Sequence, residues 1–147
     1  MFGSISSRFF HSTPANLKKL RADAIHKLTR LRVVDNSAIG KQAMAEGKPP
    51  KCIHIYNKRG KGALGDKVLV AIKGEKKKGI IVGCKRVVGG DPSFDTNNLV
   101  LIDDSGSPIG SRIHVPIPIV LRTILKEKTF SKGADYTKVL AIASRFV

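Results

Sequence analysis

Long cationic side chains are the residues of this chain whose type and spacing could do chemistry. Residues 51 to 90 contain eleven Lys and Arg residues and only two acidic residues, a net charge of +9. Lys and Arg donate charge-assisted hydrogen bonds to phosphate oxygens, and most of these residues flank apolar runs or stand in turn-like segments. The pattern therefore favours contact with nucleic-acid phosphates over a merely solvated surface.

The candidate phosphate-binding residues extend over much of the chain. They are Lys51, Lys58, Arg59, Lys61, Lys73, Lys76, Lys77, Lys78, Lys85, Arg86 and Arg112. Lys76 to Lys78 stand between two apolar runs and are predicted to form the tip of a hairpin. For Arg112, contact with RNA or a neighbouring protein and a plain surface role are equally open. Such contacts release counterions, so affinity should fall steeply with salt and carry little sequence information.

Residues suited to catalysis or metal binding are scarce by comparison. His54 and His114 are flanked by apolar residues and have no neighbouring carboxylate or nucleophile, and no glycine-rich loop has nucleotide-binding spacing. Cys52 and Cys84 have no second pair at zinc spacing, so they are expected to be buried thiols. We therefore expect no enzyme, no cofactor, no metal site and no small-molecule substrate. No apolar run approaches the roughly 20 residues of a membrane span.

Aromatic residues, which could stack on nucleic-acid bases, are few. The chain has two Tyr, six Phe and no Trp, and the sequence reading finds no aromatic pair at strand spacing. Single-strand readers carry such pairs on neighbouring strand positions. The composition therefore predicts recognition of the shape and backbone of a folded RNA.

Short β-strands must carry most of these cations. Apolar runs separated by turn signals predict strands at residues 31–34, 52–56, 68–72, 79–82, 99–102, 112–115 and 139–143. Their regular spacing favours a closed or nearly closed barrel. The run 68–72 is apolar on both faces, and a short helix after Pro118 is its expected cover. Asp35 to Ser37 are expected to cap a turn, and Gly106 and Gly110 to supply positive φ.

The N-terminus differs in composition from the rest of the chain. No acidic residue occurs through Ala22, whereas Arg and Ser recur, as in organelle transit peptides. Apolar residues from Leu17 to Leu28 recur at helical spacing, so the alternative is a helix that stays in the mature protein. We therefore predict a transit peptide and N-terminal extension at residues 1–28 and one domain at residues 29–147.

Six short segments in order carry a family resemblance. They are Leu31–Ala38, Lys51–Ile55, Gly65–Asp66, Gly79–Val82, Phe94–Leu101 and Pro108–Ile113. Together they resemble the universal large-subunit ribosomal protein number fourteen (L14/uL14) family, and with the transit-like N-terminus the chain looks like the mitochondrial form. The resemblance implies a mainly β fold, a small five-stranded β-barrel with a short C-terminal helical region.

The resemblance also implies a function and partners. The expected role is a structural constituent of the large subunit of the mitochondrial ribosome, in the matrix. The expected partners are large-subunit rRNA, neighbouring large-subunit proteins, small-subunit rRNA across a bridge, and a ribosome-silencing factor. The expected protein-docking residues are Arg122, Thr123, Lys126 and Lys128. The residues alone leave an alternative open, a free barrel-type nucleic-acid-binding factor of the organelle.

Overall fold

The computed structural model describes residues 25–85, 94–132 and 135–147. The predicted transit segment up to residue 24 and the candidate Arg86 lie outside the described residues. The elements within those ranges are β1 Arg32–Val33, α1 Ala38–Ala45, β2 Lys51–Ile55, β3 Lys67–Ile72, β4 Glu75–Gly83, β5 Asn98–Ile102, α2 Val120–Lys132 and α3 Thr137–Ala141. None of these helices is long and apolar enough to span a membrane.

The five strands form one sheet in the order β1-β5-β4-β3-β2. All pairs are antiparallel except β1 with β5. The mainly β prediction and its five strands are confirmed, but the sheet does not close into a barrel through a continuous ladder. Instead, the stretch before β1 bonds to β2, and the chain then continues into β1, which pairs with β5. Leu28 N–H donates to the Cys52 carbonyl on β2 at 2.7 Å, and Arg32 N–H donates to the Asn97 carbonyl beside β5 at 2.9 Å.

The turn between β3 and β4 lies at Lys73 and Gly74. Ile72 pairs with Glu75 across the turn, and the two turn residues have φ of 48° and 76°. Two-residue hairpin turns of this kind need positive φ at both central positions, which glycine supplies at little cost. The predicted tip at Lys76 to Lys78 was therefore wrong, because those lysines are part of β4.

Apolar side chains from the two faces of the sheet fill two separate cores. The first core contains the inward residues of β3, such as Val70, together with Leu99 and Leu101 of β5. The second contains Val100 and Ile102 from the opposite face of β5. Strand β5 is buried along its whole length because both of its faces are covered. Ile25 also packs in the first core, although it precedes the predicted domain boundary at residue 29 in the sequence.

Helix α2 forms after Pro118 as predicted, but it covers a different part of the sheet. Its Leu121 and Leu125 are buried against Ile80 and Val100 in the second core. The side chains of β3 instead alternate between the two faces of the sheet. Those on one face are buried in the first core, and those on the other face are half-buried. The expectation that the helix covers residues 68–72 was therefore wrong.

Two predicted C-terminal strands are absent from the described residues. Residues 112–115 run beside β1, and Ile113 makes only an isolated bridge, to Ala143. Residues 139–141 of the predicted strand 139–143 belong instead to α3, where Val139 is buried in the second core. The Asp135 carboxylate accepts hydrogen bonds from the backbone and hydroxyl of Thr137, at 3.0 and 2.6 Å, which favours a helical start over an extended chain.

Asp35 and Ser37 form the predicted cap after β1. The Ser37 hydroxyl accepts from Gly40 N–H at 3.2 Å and caps α1, which the sequence reading did not predict. The buried Asp35 carboxylate accepts from Ser37 N–H, the Ser37 hydroxyl and Leu101 N–H, at 3.1, 2.8 and 3.1 Å. It therefore ties the helix start to strand β5.

Gly106 and Gly110 serve different purposes. Gly106 has a φ of 89°, so its predicted positive φ is confirmed. Gly110 does not have a positive φ, and that prediction was wrong. A Cβ at Gly110 would lie 1.8 Å from the Asp35 carbonyl oxygen. Glycine is needed there because two backbone segments approach each other too closely for any side chain.

Candidate nucleic-acid interface

Three candidate cations lie on one structured loop between β2 and β3. Lys58, Arg59 and Lys61 are all exposed, and none forms an ion pair with a described residue. The Asn57 side chain organises this loop, because its Oδ1 accepts from Gly60 N–H at 2.8 Å and its Nδ2 donates to the Lys61 carbonyl. We call residues 58–61 the cationic loop. Its positive charge is displayed on a hydrogen-bonded turn.

The base of the cationic loop is fixed by a half-buried ion pair. Asp66 Oδ2 accepts from Asn57 Nδ2 at 3.0 Å and from Ala63 N–H at 2.8 Å. The other carboxylate oxygen accepts from Lys128 Nζ at 2.7 Å, and the same ammonium donates to the Gly65 carbonyl at 2.6 Å. Lys128 therefore anchors α2 to the loop and satisfies the one acidic residue at its base.

The three consecutive lysines of β4 point to both faces of the sheet. Lys77 pairs with Val70, whereas Lys76 and Lys78 pair with Ala71 and Leu69 on the opposite face. Successive side chains alternate along a strand, so this division follows from the strand itself. Of the three, Lys76 makes no ion pair with a described residue.

Lys77 and Lys78 each lie near a carboxylate. Lys77 Nζ is 3.4 Å from Glu75, and Lys78 Nζ is 2.5 Å from Asp104. The hydrogen bond to Asp104 raises the pKa of Lys78, and the same bond lowers the pKa of Asp104. Both shifts favour the charged forms near neutral pH, and because water still reaches the two side chains the pair adds little to stability.

The remaining candidates occupy separate places around the sheet. Lys51 begins β2 and Lys85 follows β4; both are exposed. The backbone N–H of Lys85 donates to Asn97 Oδ1 at 2.7 Å, so the Asn97 side chain supports this loop amide. Lys73 lies in the hairpin turn and pairs with Glu46, and this hydrogen bond lowers the pKa of Glu46. Arg112 is exposed beside the close approach of Gly110 and Asp35.

The predicted protein-docking residues fall into two groups on α2. Thr123 and Lys126 are exposed, and Arg122 is exposed while its guanidinium stacks on the Phe146 ring at 3.8 Å. Lys128 is instead half-buried in its contact with Asp66. Phe130 on the same helix is 90% exposed. The helix therefore offers a mixed basic and apolar surface to which Lys128 contributes little.

One aromatic pair was not predicted from the sequence. His54 in β2 and Tyr56, directly after the end of β2, are two positions apart, and their rings make an edge contact with centroids 5.1 Å apart. Lys67 Nζ lies 5.7 Å from the Tyr56 ring centroid. The statement that the chain has no aromatic pair at strand spacing was therefore wrong. Counting histidine as an aromatic residue would have revealed it, because alternate positions of a strand share a face.

Metal-ligating side chains do not cluster in the part of the chain that the structure describes. No group of three or more His, Cys, Asp and Glu residues could hold a metal ion there. Cys52 is fully buried, and burial raises the pKa of its thiol. Such a thiol is packed as a small apolar side chain and is a poor ligand or nucleophile at neutral pH.

The fold and its exposed cations define a class, small mainly β proteins whose surface suits a polyanion. The family model described as "Ribosomal protein L14p/L23e" matches residues 24–147. One relative, "Large ribosomal subunit protein uL14m" of Danio rerio, is 54% identical over 125 residues, which are 84% of this chain and 82% of the relative.

The chain therefore belongs to the ribosomal protein L14p/L23e family. The resemblance carried by the six sequence segments is confirmed. The family is one of ribosomal proteins and not a family of enzymes.

Proposed function

We propose that this ribosomal protein is a constituent of the large subunit of the mitochondrial ribosome, where it binds large-subunit rRNA through dispersed Lys and Arg side chains. The name of the zebrafish relative supports the subunit and the compartment. The observation that carries the RNA contacts is the display of exposed cations without acidic partners among the described residues. They are Lys51, Lys58, Arg59, Lys61, Lys76, Lys85 and Arg112.

The spacing of these cations supports contact with an extended RNA surface. Lys76 is the second of the nine residues of β4, and Lys85 lies two residues after the end of the strand. At about 3.3 Å per residue, their backbone positions are roughly 30 Å apart. This distance exceeds the width of one RNA groove, so the protein can hold several backbone segments at once. Neighbouring large-subunit proteins would pack on the apolar parts of the same surface.

Sedimentation of a mitochondrial lysate tests the assignment. In a sucrose gradient at high salt, with the protein followed by mass spectrometry, we expect it to remain with the large subunit. Loosely bound cationic proteins dissociate under these conditions because salt competes with their phosphate contacts. Release to the top of the gradient would instead favour a free nucleic-acid-binding factor of the organelle.

Charge reversal on β4 tests the RNA contacts within the ribosome. Changing Lys76, Lys77 and Lys78 together to Glu should reduce incorporation into the large subunit, because repulsion replaces attraction to phosphate. The same three positions changed to Arg keep the charge and should incorporate normally. Normal occupancy of the Glu variant would show that these lysines are merely solvated.

The exposed side of α2 is the proposed docking surface for a ribosome-silencing factor, as the family resemblance suggests. Arg122, Thr123 and Lys126 support this proposal because they are exposed on one helix. Changing Arg122 and Lys126 to Glu should weaken binding of the purified factor to large subunits. Lys48→Glu, an exposed charge change after α1, is the matched control. Equal binding by both variants would refute this docking surface.

A bridge to small-subunit rRNA is the remaining part of the proposal. Arg112 supports it because its exposed side chain follows a turn at the close approach of Gly110 and Asp35, far in sequence from the cationic loop. Arg112→Glu should lower the fraction of joined ribosomes in a subunit-association assay, with incorporation into the large subunit preserved. Unchanged subunit joining would contradict a bridging role for this residue.

A further inference from the structure

One face of the β2–β3 edge combines aromatic, apolar and cationic side chains. We call it the tyrosine face and define it by His54, Tyr56, Lys67, Leu69 and Lys78. His54 pairs directly with Leu69, and Leu69 pairs with Lys78, so these three form a row across β2, β3 and β4. Directly paired residues of antiparallel strands project to the same face.

A second row lies beside the first. Tyr56 N–H donates to the Lys67 carbonyl at 3.0 Å, which places these residues side by side at the end of β2. The edge contact of His54 with Tyr56 joins the two rows, and within the second row Lys67 approaches the Tyr56 ring. Tyr56 is 37% exposed, so part of its side chain is accessible to a ligand.

The surroundings of the tyrosine face leave space for a planar ligand. A groove of about 410 Å³ adjoins it, and its lining consists of Leu69, Ile102, Ile109, Lys76 to Lys78, Asp103 and Asp104. The second core ends at Ile80 and Ile102, so helix α2 leaves this part of the sheet uncovered. Three apolar side chains with three lysines against two aspartates give the groove a net positive charge, which suits a base with its phosphate better than another apolar surface.

We propose that the tyrosine face binds an unpaired RNA nucleotide, with the base stacked on Tyr56 and the phosphate held by Lys67. The inference rests on the proposed rRNA binding and adds to it a contact with a base. Charge complementarity selects this occupant, since Lys67 forms no ion pair with a described residue and the chain as a whole carries a net charge of +16.

When a nucleotide binds, the Lys67 ammonium can leave the Tyr56 ring and contact a phosphate instead. At 5.7 Å from the ring centroid, it is near the outer limit of a cation–π contact. A base that covers the ring takes the place of the cation, and the flexible lysine then reaches the phosphate of the same nucleotide. Stacking of this kind tolerates any base, because every base has a π-face.

Two RNA probes separate stacking from phosphate binding. The first is a fluorescein-labelled oligouridine of about twelve nucleotides, whose bases are free to stack, and the second is an RNA duplex of the same length. Affinity of the full chain is measured by fluorescence anisotropy. Tyr56→Ala should weaken oligouridine binding by about 5- to 150-fold, the range of one base–aromatic stack. Tyr56→Phe should retain the affinity, and duplex binding should be the same for all variants.

Tyrosine-ring NMR reports the stack in the unmodified protein. The chain has two tyrosines, and Tyr136 is only 4% exposed, so it serves as an internal reference. Oligouridine should shift the ring resonances of Tyr56 and leave those of Tyr136 in place. Phe130→Ala, which removes an exposed aromatic ring on α2, is the matched control and should leave oligouridine affinity unchanged.

The outcomes separate this inference from the proposed function. If oligouridine binds while the Tyr56 resonances stay in place and Tyr56→Ala has no effect, the stacking site is wrong and RNA binding stands. If the duplex shifts Tyr56 as strongly as oligouridine does, the face binds phosphate without a base and the inference is also wrong. If neither probe binds at low salt, the proposed RNA binding itself fails.

Discussion

Charge reversal at Lys128 should destabilise the fold, whereas the same change at Lys126 should not. Lys128 Nζ donates to the Gly65 carbonyl and to Asp66 Oδ1 at 2.6 and 2.7 Å. The side chains of Lys128 and Asp66 are only 24% and 18% exposed, so water replaces these bonds poorly. A glutamate at position 128 loses both bonds and faces Asp66 with like charge. Lys126 is exposed on the same helix.

The size of the effect follows from the partial burial of the pair. Breaking a fully buried pair costs about 3–5 kcal/mol, and discounting for the remaining exposure leaves about 2–4 kcal/mol for Lys128→Glu. An exposed substitution such as Lys126→Glu should stay within about 0.5 kcal/mol. For a domain of this size, the predicted difference corresponds to a Tm lower by roughly 6 to 20 °C. Lys128→Met, which removes the bonds without adding repulsion, should fall between the two.

Two assays test this reasoning on the purified full chain. Urea denaturation gives the free energy of unfolding, and amide hydrogen exchange reports the cationic loop. The Asp66 carboxylate that Lys128 holds also accepts from Ala63 N–H, so this amide should exchange faster in Lys128→Glu. If Lys128→Glu and Lys126→Glu unfold with the same free energy, the anchoring role of Lys128 is refuted, and position 128 becomes a fair probe of partner docking.

Three further predictions concern the backbone junction at Asp35 and the cationic loop. Gly110→Ala should lower the free energy of unfolding by about 3 kcal/mol in urea denaturation, because its Cβ overlaps the Asp35 carbonyl; an unchanged midpoint would contradict the close approach. Asp35→Ala should cost about 3–5 kcal/mol in thermal denaturation, since Leu101 N–H loses its carboxylate acceptor, and a cost under about 1 kcal/mol would argue against this buried network. Changing all three cations of the loop to Gln should make RNA binding less dependent on salt. The slope of log affinity against log salt should decrease in magnitude by about 2–3, while Tm stays unchanged. An unchanged slope would remove the cationic loop from the interface.

The sequence alone determined the features that depend on composition and on short-range pattern. Net charge does not depend on folding, so the polyanion-binding class could be read directly from the Lys and Arg count. The apolar runs located all five strands to within a few residues. The cap at Ser37 was also predictable, because its hydrogen bonds join residues only two or three positions apart. Motif order was enough to suggest the family, and the family comparison confirmed it.

Contacts between distant residues decided the rest. The local Asp135 contacts favour a helix start at Thr137, but the packing of Val139 into a core built by β4, β5 and α2 depends on residues distant in sequence. Gly110 is required because of a carbonyl 75 positions earlier in the chain, and Lys128 is an anchor because of a carboxylate 62 positions away. The tyrosine face likewise exists only through the register that sets β2 beside β3 and β4. A sequence pattern predicts which residues are buried or exposed in an element, but only tertiary packing determines which elements meet, and therefore which cations are committed to the fold and which remain for a partner.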